Sequence, residues 1–193
     1  MARKKHEFRP DTVRQDILGK LLLTRKQRQI ALRWLLFSVV CLTGLIAQDV
    51  VMSRFSIFGT TTDLVPACIL AVCILQGAES GCIFALTASL IYYFSGSAPG
   101  VYCVPLITII AVLGAIFRQG YLRKGFSTLV ICTGVGLLLY ELGVFFIGLF
   151  LGSTIWTRFR AFPITALITL ALVPLLYPIL MSIGKIGGET WKE

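Results

Sequence analysis

The chain has 193 residues, 56% of them hydrophobic and only 14% charged, against roughly a quarter charged in soluble domains. With a mean hydropathy of +0.86, this balance argues against a soluble enzyme and fits one integral membrane domain. The net charge of +9 belongs to an arm, because ten of the 18 basic residues fall within the first 33 positions, so no nucleic-acid partner is expected.

That arm, residues 1–33, is expected in the cytoplasm. Within it Val13, Ile17 and Leu21 recur every four residues, with Leu18 and Leu22 beside them and Arg14, Lys20, Arg25, Lys26 and Arg28 on other faces. Pro10, Asp11 and Thr12 suit a helix start. The pattern predicts an amphipathic helix on an anionic membrane surface. Two other readings stay open: a disordered basic tail that only orients the protein, and a docking arm for a cytoplasmic partner.

Six apolar runs follow over residues 34–184. The first, Trp34 to Val51, is about 27 Å long as a helix and spans the hydrocarbon core. Gln48 and Asp49 mark its far end, and SRFSIFGTTT reads as an external loop. Thr62 and Asp63 stand where a helix cap belongs. The second run, Leu64 to Gln76, reaches only about 20 Å and borrows flanking residues to cross. A re-entrant hairpin here would bury Glu79 near mid-membrane, so full crossing is expected.

The third to sixth runs are Cys82 to Phe94, Val101 to Phe117, Phe126 to Gly152 and Phe162 to Gly184, and residues 185–193 form a short tail. The sequence thus predicts an all-α membrane protein, a six-transmembrane-helix bundle with both termini cytoplasmic. Loop charges agree. Fifteen basic residues then lie inside, including Arg118, Arg123, Lys124, Lys185 and Lys192, and only Arg54, Arg158 and Arg160 outside. A five-span layout balances charge nearly as well, and the apolar lengths decide for six.

The polar and small residues within the runs set expectations about chemistry. Glu141, in LLLYELGVFF, is an ionisable group in an expensive place; it has three readings, a structural hydrogen bond or ion pair, a partner contact, or transport chemistry. The spaced pairs Ala67 and Ala71, Ala111 and Ala115, Gly148 and Gly152 suit close helix packing. Pro174 and Pro178 predict a kink in the last span. The six cysteines, Cys41, Cys68, Cys73, Cys82, Cys103 and Cys132, lie in or beside apolar runs without CxxC spacing, and read as buried hydrophobes. No catalytic motif, acidic cluster for Mg²⁺ or His beside Cys or Ser occurs, so no enzymatic activity, cofactor or metal is expected.

The stretch from Thr62-Asp63-Leu64 through Leu75-Gln76-Gly77, Glu79-Ser80-Gly81 and Ser95-Gly96 to Pro99-Gly100-Val101-Tyr102 resembles the rod shape-determining MreD family. The likeness covers about 55 residues of short, glycine-based motifs, and chain length, span count and basic arm agree with it. Thr62, Ala88 and Tyr92 depart from the family pattern, which has Pro, Gly and commonly an acidic residue there. Any role of that carboxylate is therefore not carried over.

The resemblance implies a scaffold subunit of the bacterial cell-elongation machinery in the plasma membrane. Its implied partners are an MreC-like bitopic protein, MreB-like filaments, and a transpeptidase and a glycosyltransferase of peptidoglycan synthesis. Partner-binding or structural candidates are Asp63, Gly77, Gly81, Gly96, Gly100 and Glu141. It also implies a bundle similar to the substrate-binding components of energy-coupling-factor transporters. That similarity supplies the alternative function, a vitamin-binding membrane component, which calls for a polar and aromatic outer pocket and an Ala-x-x-x-Ala pair in the first span. Here such a pair, Ala67 and Ala71, falls in the second.

Overall fold

A 13-residue helix that is apolar on every side has no face to offer water, and the fold is arranged around it. A computed structural model of the protein describes residues 25–50, 62–122, 125–156, 159 and 161–186. Among these the regular structure is entirely helical: α1 (Arg25–Val50), α2 (Leu64–Gln76), α3 (Ala78–Phe94), α4 (Cys103–Tyr121), α5 (Phe126–Phe150) and α6 (Ala161–Gly184). The amphipathic segment Val13–Leu22, the loop charges Arg54, Arg123, Lys124, Arg158 and Arg160, and the tail beyond residue 186 lie outside the described residues.

Helix α2 is the axle. Every residue from Leu64 to Leu75 is buried, and α2 touches all five other helices. Ala67 and Ala71 are 0% exposed, so the small-residue spacing in this helix serves approach of its neighbours, as does that of the equally buried Ala111 and Ala115 on α4. Such an all-round apolar helix is stable only as the centre of a bundle or in lipid.

The outer helices behave differently. Four of them, from Gln27–Val50, Cys103–Tyr121, Phe126–Phe150 and Ala161–Gly184, are long and apolar enough to cross a membrane, yet only 22% to 44% of their most apolar windows is buried. Ile46, Leu113, Ile131, Leu167 and Leu175 stand well exposed. In water so much apolar surface would drive association; in lipid it is solvated.

Several boundaries move from their sequence expectations. The first helix begins at Arg25, nine residues before Trp34, so Arg28 and Arg33 belong to it, and Arg33 is buried. The third begins at Ala78 and takes Glu79 into its first turn, where that carboxylate is exposed. The fourth runs from Cys103 to Tyr121 and incorporates Arg118, which the charge pattern had placed in a loop. The Gly148–Gly152 pair is corrected: Gly152 lies beyond the end of α5 with φ +69° and terminates the helix, a use that left-handed backbone favours. Pro174 and Pro178 both lie inside α6. Of the six thiols, all free, only Cys82 is more than marginally exposed, as expected of small buried hydrophobes.

Candidate functional site

The two ends of the bundle solve the same problem in different ways. A helix leaves backbone groups unpaired at each terminus, and a terminus buried among other helices must find side chains to pair them. At the C-terminal end of α2, Arg118 reaches across from α4 and donates from Nη1 to the carbonyl oxygens of Ile74 and Leu75, the latter at 3.2 Å. Arg118 is 6% exposed. A cation at a helix C-terminus also complements the helix dipole. The residue expected to be an orienting loop charge is thus a trans-acting helix cap.

The same end carries two of the glycine candidates. Gly77 joins α2 to α3 with φ +95°, and a Cβ there would collide with the Gln119 side chain. At Gly81 a Cβ would stand 2.5 Å from Cys73 Sγ and 3.0 Å from Cys73 Cα, so α3 crosses directly over α2 backbone. Gly96, with φ +80°, turns the chain between α3 and α4 in open space. Gly100 leaves room for the Tyr102 ring, which a Cβ would meet at 2.5 Å. These four glycines shape two connections and do not converge with Asp63 and Glu141.

The opposite end gathers the polar side chains. Asp63 occupies the N-cap position of α2 but makes no side-chain capping bond, contrary to the expectation for it. Gln48, from the last turns of α1, supplies the cap: its Oε1 accepts from the Val65 N–H at 3.0 Å, and its Nε2 lies 3.5 Å from the Tyr92 hydroxyl on α3. The Asp63 backbone N–H donates to Thr169 Oγ1 on α6 at 3.1 Å, and that hydroxyl donates to the Thr165 carbonyl at 2.7 Å. Asp49, exposed beside Gln48, accepts from Ser97 Oγ at 2.7 and 2.8 Å.

Freed from capping, the Asp63 carboxyl lies near the carboxyl of Glu141 on α5. Asp63 is half-buried and Glu141 is 8% exposed. Glu141 Oε1 has no hydrogen-bond partner among the described residues. Tyr92 and Tyr140, each 0% exposed, flank the pair, with the Cys103 thiol beside the Tyr140 hydroxyl. Each of the six helices except α4 contributes an oxygen-bearing side chain to this end, and α4 contributes Cys103.

Tyr92 is a buried hydrogen-bond partner of Gln48, so α3 places a neutral polar group at this end. Sequence reading placed Asp63 and Glu141 among the candidates separately; it missed Gln48, Tyr92, Tyr140, Thr169 and Arg118. For Gln48 and Arg118 a signal existed, since both are long polar side chains within a turn or so of the end of an apolar run. Further along the same end, Phe145, Trp156, Phe159 and Phe162 form an aromatic group with centroid separations of 5.0 to 6.0 Å, the kind of belt found at a membrane–water boundary. Comparison with family models, curated proteins and solved structures finds no match for the chain.

Proposed function

We propose that the protein is a non-catalytic scaffold subunit of the bacterial cell-elongation complex, crossing the plasma membrane six times with both termini in the cytoplasm. It holds partner proteins through its helix bundle, and the partners are those of the resembled family: an MreC-like bitopic protein first, then MreB-like filaments, a transpeptidase and a glycosyltransferase. The observation that carries this reading is the division of labour in the bundle. Helix α2 packs against all five other helices, while the outer helices keep long apolar faces exposed. Between α4 and α5 a groove of about 440 Å³ is walled by Leu113, Gly114, Phe117, Ile131, Val135 and Gly136 among others. Apolar walls with glycines among them suit a single partner helix, held by close packing and a few interhelical hydrogen bonds of roughly 0.6–2 kcal/mol each.

Detergent co-purification with an MreC-like protein and a wall-synthesis transpeptidase tests the proposal. Co-elution that is lost when Val135 and Ile131 are replaced by bulky Trp is the expected result. Normal rod shape and normal wall insertion in a deletion strain would defeat it.

The alternative, a vitamin-binding transporter component, gains one point from the polar and aromatic cluster around Tyr92 and Tyr140. It loses another, because Ala67 and Ala71 are wholly buried and offer no surface to an energising module. Nanomolar vitamin binding by the purified protein would reverse the order of the two readings.

A further inference from the structure

We propose that the turn joining α5 to α6 is an interfacial anchor, its apolar side chains set into the headgroup boundary of the lipid bilayer. The inference rests on the membrane setting of the bundle and is independent of the scaffold reading. Helix α5 carries aromatic contacts towards both ends. Phe126 packs against Tyr177 of α6 with centroids 4.8 Å apart, and Phe145 packs against Trp156, Phe159 and Phe162 at 5.5 to 6.0 Å. Phe126 and Phe145 are 19 residues apart on one helix, about 28 Å, against a hydrocarbon core of roughly 30 Å. The two groups are thus spaced as the two edges of one bilayer, where aromatic rings collect.

The turn folds back to that edge. Helix α5 continues past Phe145 to Phe150, yet the Trp156 ring returns to 5.9 Å from Phe145 and stacks on Phe159, with 14° between the planes. A segment reaching for an aqueous partner would run outward, and this one is drawn back to the level of Phe145. Phe150, Leu151, Ile155 and Trp156 are 61% to 90% exposed, so packing within the chain does not account for them. Phe146, one turn before Phe150 on the same face of α5, is exposed as well, and the patch therefore continues the apolar side of the helix. The backbone suits a layer poor in water. The N–H groups of Leu151, Gly152, Ser153 and Thr154 donate to the carbonyls of Ile147, Gly148 and Leu149 at 2.9 to 3.2 Å, and Ser153 Oγ donates to the Gly148 carbonyl at 3.0 Å. With these groups paired from within, the turn loses little on entering the interface. The sequence interleaves Arg158 and Arg160 with Trp156, Phe159 and Phe162, and basic residues among aromatics suit phosphate headgroups. Anchors of this kind set the depth and tilt at which helices sit.

Trp156 is one of three tryptophans and serves as its own reporter. The test uses the full chain carrying Trp34→Phe and Trp191→Phe, reconstituted in vesicles of phosphatidylcholine and phosphatidylglycerol. Lipids brominated near the headgroup end of the acyl chain should quench its emission several-fold more strongly than lipids brominated near the chain end. Acrylamide added to the water should quench it several-fold less than free tryptophan. Acrylamide quenching as strong as that of free tryptophan overturns the proposal, because the turn would then stand in water as a face for an extracytoplasmic protein. Quenching by the deep bromines that equals or exceeds quenching by the shallow ones overturns it too, because the turn would then lie in hydrocarbon. Should the double variant fail to fold, the emission lost between the native chain and Trp156→Ala isolates the same indole, and the same outcomes decide.

Discussion

At Gly77 two constraints coincide, a left-handed backbone with φ +95° and the Gln119 amide in the space of a side chain; the amide can swing aside, the backbone cannot. Gly77→Ala should therefore destabilise the protein by about 1–3 kcal/mol, seen as a lower thermal midpoint in detergent. Gly125, which has extended backbone with φ −166° and open space where a Cβ would stand, is the control, and Gly125→Ala should leave the midpoint nearly unchanged. Equal effects at the two positions would show that the left-handed backbone at Gly77 is not what the glycine is for. The motif glycines were legible as turns because short Gly-containing gaps between apolar runs have few other meanings. That Gly77 answers to Gln119, 42 positions further on, was not, since no local pattern reports a neighbour from another helix.

The two caps on α2 argue at the level of the element. A 13-residue helix with both termini buried needs its end groups paired, and its own flanks do not pair them, since Asp63 makes no capping bond. Replacing Arg118 by Met leaves the Ile74 and Leu75 carbonyls without their donor and should cost about 2–4 kcal/mol. Gln48→Leu, which uncaps the Val65 N–H, should cost roughly 1–2 kcal/mol. Both are measurable by mixed-micelle unfolding, and loss of less than about 0.5 kcal/mol in either would mean that water already serves the end groups. Hydrogen exchange offers a check on the axle itself: amides of Val65–Leu75 should be the last to exchange, and those of Gln27–Ile30, on the exposed first turns of α1, among the first.

For the whole molecule, the six-span layout assigns each end of the bundle to a compartment. Glu79 and Pro99 are exposed at opposite ends of α3, and the six-span layout puts the first in the cytoplasm and the second outside. With Cys82 replaced by Ser, single cysteines introduced by Glu79→Cys and Pro99→Cys should react with a membrane-impermeant maleimide from the inner and outer faces respectively. Labelling of both from one face would refute the crossing of α3 and with it the layout. Without any substitution, Cys82 should react before the other five thiols, which are buried.

Composition and the rhythm of apolar runs determined by themselves that the described residues are helical, that residues 34–184 hold six apolar helices and that lipid is a fitting solvent for them. Those properties depend on stretches of ten to twenty-five neighbouring residues, which a sequence displays directly. Tertiary structure alone decided which of the six helices became the buried axle, and that Arg118 and Gln48 close its ends. It also decided that Asp63, released from capping by Gln48, lies near Glu141, 78 positions away. Apolar surface is interchangeable along a chain, so local pattern cannot rank one greasy helix over another. Two distant carboxyls come near each other only when packing has already chosen the neighbours.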